Sequence, residues 1–326
     1  TRSSWVTGVQ TCALPISSFF ICFFLAFLFI PRLRKRHIGQ MVRKEGPKSH
    51  LSKRGTPTMG GVFIVVALLL TLLFFRSINS TITIILIATF GFGGIGFLDD
   101  YIKIVKKRSL GLDERQKLIL QFIISVILIF TYESLFERSI IYQKIPFIKE
   151  EVNLSYLMYP IQIFIITGTV NATNLTDGLD GLLTGVSIPV FLCLGIIGLS
   201  DNLNVTIFSS AMLGSLLGFL VFNSNPASIF MGDLGSMAIG GALASICLIL
   251  RMNFYLPILA GISMFEVISV IIQAISYKTR KGKRVFLMSP IHHHFELKGY
   301  KEQKIVTTFT VISSFLSVLS LIIYLK

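Results

Sequence analysis

Residues 80–103 read STITIILIATFGFGGIGFLDDYIK, and the reading of this stretch decides the fold. Residues 80–98 form an apolar run without a single charge, long enough to cross a hydrocarbon layer as a helix, and the run then meets Asp99 and Asp100 side by side. In isolation this would be a core helix with a solvated end. Similar runs, however, recur along the whole chain, at approximately 13–31, 58–75, 118–136, 154–172, 179–200, 205–222, 235–250, 256–276 and 304–325. With 53% hydrophobic and 14% charged residues and a mean hydropathy of +0.76, there is more apolar surface than one soluble core can bury. The expected fold is an all-α polytopic membrane protein of about ten transmembrane helices.

The net charge of +14 raises nucleic acid as a partner, and the distribution of that charge argues against it. Nine Lys or Arg fall in 32–57, six in 99–117 and seven in 277–303, so one side collects 22 and the other seven. By the positive-inside rule the odd-numbered loops are cytoplasmic and both termini lie outside, beside a bilayer partner and no nucleic acid. The segment RSIIYQKIPFIKEEV, 138–152, alternates around a Lys-Ile-Pro turn and reads as a small extracytoplasmic β-hairpin. Residues 1–16 lack the charged start of a signal peptide and read as an atypical leader, leaving 17–326 as a single membrane domain. Cys12, Cys22, Cys193 and Cys247 show no paired spacing, so neither a disulfide framework nor a cysteine zinc site is expected.

The polar stretches that are costly near a bilayer all fall in or beside the loops read as cytoplasmic. Asp99 and Asp100 repel one another and need a cation or a basic partner; the plainer account is a solvated helix end paired with Lys103. NATNLTDGLDGL (171–182) spaces Asn171, Asn174, Asp177 and Asp180 three apart, so that on a helix neighbours in the series share a face. Small-residue helix packing explains its glycines but not its carboxylates. In NSNPASIFMGDLGS (223–236), Asp233 sits between glycines just before an apolar run, as a Mg²⁺ ligand or, more plainly, a helix N-cap. SKRGTPTMGG (52–61) offers Lys53 and Thr58 where a helix opens, and LDERQKL (112–118) offers an Asp113–Gln116 capping box with Lys117 one turn inside. For each lysine the alternative is ordinary positive-inside charge. Together they form a cation-and-amide half facing a carboxylate half.

SPIHHHFE (289–296) carries three successive histidines. On a helix such neighbours diverge by about 100°, so they cannot easily converge on one zinc. They read instead as one or two phosphate-facing donors plus one packing residue.

The ordered set GTPTMGG (55–61), FLDDYIK (97–103), NLTDGLDGL (174–182), FMGDLGS (230–236) and PIHHHFE (290–296) resembles the polyprenyl-phosphate N-acetylhexosamine-1-phosphate transferases, and within them the phospho-N-acetylmuramoyl-pentapeptide transferase (MraY) family. The likeness runs from about residue 17 to the end. It implies a ten-span fold in the bacterial inner membrane with its active site in cytoplasmic loops. The implied reaction moves phospho-MurNAc-pentapeptide from UDP-MurNAc-pentapeptide to undecaprenyl phosphate, with Mg²⁺ as cofactor, giving lipid I and UMP. By the same resemblance Asp233 is the Mg²⁺ ligand, and Asp99 and Asp100 are paired essential carboxylates, one of them acting as a base or by positioning. Asn174, Asp177, Asp180 and His292, His293 and His294 match essential polar positions, Asp180 on the substrate-binding side. Lys53, Thr58 and Lys117 match residues near the phosphates, and Asn223, Phe230 and Gln273 match the uridine pocket. The rival reading inside the superfamily is transfer of GlcNAc-1-phosphate from UDP-GlcNAc. From another class, a transporter would use Glu133 and Glu266 within their spans. The sequence does not set the oligomeric state, a homodimer included.

Overall fold

The computed structural model describes residues 2–35, 55–106, 110–136 and 139–326. Its elements in chain order are α1 (Arg2–Lys35), α2 (Gly61–Phe74), α3 (Ser80–Val105), α4 (Glu114–Leu135), a hairpin of β1 (Tyr142–Gln143) and β2 (Val152–Asn153), and α5 (Met158–Thr176). Then follow α6 (Leu182–Asp201), α7 (Leu203–Asn223), α8 (Gly232–Leu250), α9 (Leu256–Leu259), α10 (Gly261–Thr279), α11 (Ile291–Leu297) and α12 (Glu302–Leu325). Among the described residues eight helices are long and apolar enough to cross a membrane: α1 from Ala13, α3, α4, α6, α7, α8, α10 and α12. The chain is therefore an all-α polytopic membrane protein.

The other two expected spans exist as helices with different character. The segment expected at 58–75 starts as α2 only at Gly61, because the residues before it pair through their backbone with a second loop: Phe230 N donates to Pro57 O and Gly60 N to Phe230 O. The segment at 154–172 becomes α5, which carries Gln162, Asn171 and Asn174 and threonines whose hydroxyls bond back to carbonyls one turn earlier, as Thr169 does to Ile165. The segment at 256–276 is broken at Ala260 into α9 and α10.

Helix α8 is the axis of the molecule. Almost all of it is buried, with α3, α5 and α2 against it. Its small residues permit this closeness, since a bilayer offers helices no hydrophobic drive to associate and packing must supply it. The crossing with α3 is tightest at Gly96, where an added Cβ would stand 2.1 Å from the Asp233 carbonyl oxygen. That contact brings the end of α3 against the start of α8. Helix α1 is continuous from Arg2 through residue 17 and beyond; Leu14 is buried, and Ser18 Oγ lies 2.6 Å from Ser215 Oγ of α7.

The hairpin expected at 138–152 is present, with Tyr142 opposite Asn153 and Gln143 opposite Val152 in antiparallel register. It is tied to the end of α8 by Lys144 N donating to Arg251 O (2.8 Å), Asn253 Nδ2 donating to Gln143 Oε1 (2.9 Å) and an Arg251–Glu151 ion pair. This polar lock stands at the opposite end of the bundle from Asp99 and Asp233, because α4 and α8 each run from one end to the other.

Candidate active site

Four helix ends meet at the end of the bundle away from the hairpin. Asp99 and Asp100 end the apolar stretch of α3, Lys117 stands on the first turn of α4, Asn174 on the last turn of α5, and Asp233 on the first turn of α8. Asp99 and Asp100 are buried, and Asp99, Asp100 and Asp233 each offer an oxygen within 4.8 Å of the others. Like charges so close would separate unless compensated. Two ammonium groups compensate them. Lys103 Nζ is 2.5 Å from Asp99 Oδ2, 3.7 Å from Asp100 Oδ1 and 3.0 Å from Asp233 Oδ2. Lys117 Nζ is 2.8 Å from Asp233 Oδ2 and 3.2 Å from Asp99 Oδ1.

Further donors fix each carboxylate. Leu112 N donates to Asp99 Oδ1 (2.7 Å) and Leu234 N to Asp100 Oδ2 (3.2 Å). Asn174 Nδ2 donates to Asp233 Oδ1 (3.1 Å) and to Ser236 Oγ (2.9 Å). Asp233 is therefore not a simple N-cap; its carboxylate points across the helix ends. The turn before it needs Gly232, at φ +79°, where a side chain would be strained and its Cβ would fall 2.6 Å from Asp100 Oδ2 and 3.1 Å from Thr58 Oγ1. Thr58 Oγ1 is buried without a hydrogen-bond partner at this same corner.

The even spacing of Asn171, Asn174, Asp177 and Asp180 does not survive as one helical series. Helix α5 stops at Thr176, so only the two asparagines lie on it, and Asn171 exchanges hydrogen bonds with Gln121 of α4. Asp177 caps the helix end, its N donating to Asn174 O (3.3 Å); burial, and then the Asp233 and Asp100 carboxylates, push its carboxyl up to about 8. Asp180 turns away from the cluster. Its Oδ2 accepts from Asn225 Nδ2 (3.1 Å) and Ala227 N (3.0 Å), while its N donates to Glu302 Oε1 (2.7 Å).

The histidines separate as their spacing requires, on α11. His292 is buried against Glu266 of α10, His293 Nδ1 is 2.7 Å from Glu296 Oε2, and His294 Nδ1 accepts from Leu287 N at 3.1 Å. Of the residues matched to the uridine pocket, Asn223 accepts from Thr184 Oγ1 and donates to Ile229 O, and Gln273 braces the backbone of Val285 and Phe286. Phe230 follows in the loop that pairs with Pro57 and Gly60. Lys53, like His37 and His50, lies outside the described residues.

Two residues that the sequence presented differently emerge as central. Lys103, read as a partner for a solvated helix end, bridges all three aspartates; its i+3 and i+4 spacing from Asp100 and Asp99 was the available signal. Glu266, unassigned in its span, belongs to His292. Glu133, the other transporter candidate, accepts from Ser139 Oγ and Ile140 N and closes the end of α4. Asp113 N donates to Gln116 Oε1 (3.1 Å), the expected box that starts α4 and so aims Lys117.

The donor set fits a hard divalent cation. Three carboxylates converge with only two ammonium groups, which leaves one negative charge uncompensated, and Asp177 adds a second when ionised. Hard oxygen donors of this kind suit Mg²⁺, which keeps several waters and takes one or two carboxylates with phosphate oxygens.

Residues 82–251 match the family described as Glycosyl transferase family 4, and residues 53–65 match signature 1 of the phospho-N-acetylmuramoyl-pentapeptide-transferases. The chain is 48% identical over 309 residues to a phospho-N-acetylmuramoyl-pentapeptide-transferase of Caldanaerobacter subterraneus subsp. tengcongensis, covering 93% of this chain and 96% of that one. It is 46% identical over 311 residues to proteins of that same name in Bacillus anthracis and Bacillus mycoides, covering 94% and 95% of the two chains.

Proposed function

The chain belongs to the phospho-N-acetylmuramoyl-pentapeptide-transferase family, and from that premise we propose that it moves phospho-MurNAc-pentapeptide from UDP-MurNAc-pentapeptide to undecaprenyl phosphate in the bacterial cytoplasmic membrane, releasing UMP and leaving lipid I. The observation that carries the site assignment is the convergence of Asp99, Asp100 and Asp233 within 4.8 Å, cross-linked by Lys103 and Lys117. In the reaction a P–O bond forms between the acceptor phosphate and the sugar-bearing phosphorus, and the P–O bond to UMP breaks. Phosphoryl transfer of this kind needs alignment and charge neutralisation more than covalent help.

Asp233, Asp99 and Asp100 are the residues that would hold Mg²⁺. When bound, that ion supplies neutralisation of charge on the transferring phosphate. Lys103 and Lys117 hold the carboxylates together and are close enough to exchange one of these contacts for a phosphate oxygen. Lys53 and Thr58 belong to the same phosphate-binding group, with the buried Thr58 hydroxyl free to donate. The acceptor phosphate has a second pKa near 6 and is largely dianionic at neutral pH, so no base is needed to unmask its nucleophile. Asp99 and Asp100 then act by positioning. The polar end of the bundle faces the cytoplasm under this reading, where the excess of Lys and Arg lies.

Purified protein given undecaprenyl phosphate should release UMP from UDP-MurNAc-pentapeptide and not from UDP-GlcNAc. Chelation should stop turnover and Mg²⁺ alone should restore it. Equal use of both donors would move the chain to the broader superfamily activity, and turnover unaffected by chelation would remove the cation from the site.

A further inference from the structure

Beside the carboxylate cluster, α10 and α11 carry a buried pair that the chemistry above leaves without a task. Glu266 is fully buried and His292 is 1% exposed, with Nδ1 3.1 Å from Glu266 Oε2. The same oxygen lies 3.5 Å from the His292 backbone N. The ring contact is off the line of the N–H, so His292 Nδ1 makes no hydrogen bond, and Glu266 Oε1 and His292 Nε2 are likewise buried with no hydrogen-bond partner. Nε2 is aimed at the turn between α5 and α6: a Cβ added to Gly178 would stand 2.2 Å from it. That turn carries Asp177, whose carboxyl is near enough to Asp233 and Asp100 to feel their charge. Unpartnered buried polar atoms cost free energy, and those of an active site often find their partner only when substrate binds and the contacts tighten.

We propose that Glu266 is a positioning residue for the transfer: it holds the His292 ring through Nδ1, so that Nε2 is presented over Gly178, next to Asp177, to the bound donor substrate. A carboxylate behind an imidazole fixes its tautomer and rotation, and loss of such a partner typically lowers activity by about 10- to 100-fold. The arrangement needs the break at Ala260, which starts α10 as a separate helix and brings Glu266 to face α11. It also needs glycine at 178, since any side chain would occupy the place of the imidazole edge.

The assignment rests on the transferase reading, and two measurements separate its failure from failure of that reading. In the UMP-release assay Glu266→Gln should lower kcat by about 10- to 100-fold with the donor KM within about twofold. In a His292→Gln background it should add nothing further, because it works only through the ring. A kcat within about twofold of wild type, or a full additional loss in that background, would overturn the proposal. Independently of turnover, ¹⁵N NMR of histidine-labelled wild-type protein, with His292 assigned by its absence in His292→Gln, should show a protonated Nδ1. An Nδ1 without a proton would overturn the proposal even where Glu266→Gln cannot be purified.

Discussion

Asp233 carries three polar contacts from three other helices, those of Lys103, Lys117 and Asn174, and still offers an oxygen within 4.8 Å of those of Asp99 and Asp100. Asp233→Asn removes one charge without changing side-chain volume, and Lys103 and Lys117 retain Asp99 and Asp100 as partners. Folding should therefore survive, while turnover falls by something on the order of 10²–10³, the usual loss on removing one electrostatic stabiliser of a transition state. UMP release at a near-normal rate would take Asp233 out of the site. Gly178→Ala tests the neighbouring turn: its Cβ would fall 2.2 Å from His292 Nε2 and must displace the ring. Turnover should drop by about tenfold or more, with the thermal midpoint in detergent little changed. Unaltered turnover would mean that the ring position is immaterial. At this scale the sequence supplied the residue types and their order but not their partners. Asp180 looked equivalent to Asp177, yet the turn that follows the end of α5 at Thr176 sends it to Asn225 and Glu302 instead.

Among the elements, the α3–α8 crossing decides whether a site exists. Gly96 lets the Asp233 backbone approach so closely that a methyl group has no room, and the opposing atoms are backbone, which cannot swing aside. Gly96→Ala should destabilise by about 1–3 kcal/mol, the usual cost of overpacking, and reduce turnover by moving α8 relative to Asp99 and Asp100. Gly94, two residues earlier on α3, has nothing within 4 Å of an added Cβ. Gly94→Ala should leave stability unchanged or raise it by up to about 1 kcal/mol through helix propensity. Thermal unfolding of the two variants in the same detergent compares them directly, and equal behaviour would show that the close approach is not rigid. The periodic apolar runs made the spans visible at this scale. The start of α2 was not visible, because it depends on a backbone pairing with Phe230, about 170 residues away, that no local pattern encodes.

For the whole molecule, the hairpin and the carboxylate cluster stand at opposite ends of the bundle, and under the proposed orientation, which follows the excess of Lys and Arg, the cluster faces the cytoplasm. Phe147, at the hairpin tip, and Lys298, after α11, are both exposed. In intact cells a membrane-impermeant maleimide should modify Phe147→Cys, and should reach Lys298→Cys only after permeabilisation. Cys12 is first replaced by Ser, and Cys22, Cys193 and Cys247 are buried and give little background. The reverse pattern would invert the orientation and with it the side on which UMP is released.

What the sequence determined by itself is whatever depends on local composition and spacing: the apolar runs that become helices, the hairpin around its turn, the Asp113–Gln116 box that starts α4, and the divergence of three successive histidines. Each follows from short-range geometry or from the cost of exposing backbone to lipid. Only the tertiary structure decided which polar residues share a site. Lys103 and Lys117 became the bridge across Asp99, Asp100 and Asp233, and Glu266 became the partner of His292, through contacts between helices far apart in sequence. Those pairings depend on how closely α3, α5, α10 and α11 can approach one another and α8, which is a matter of side-chain volume at the crossings and leaves no periodic trace in the chain.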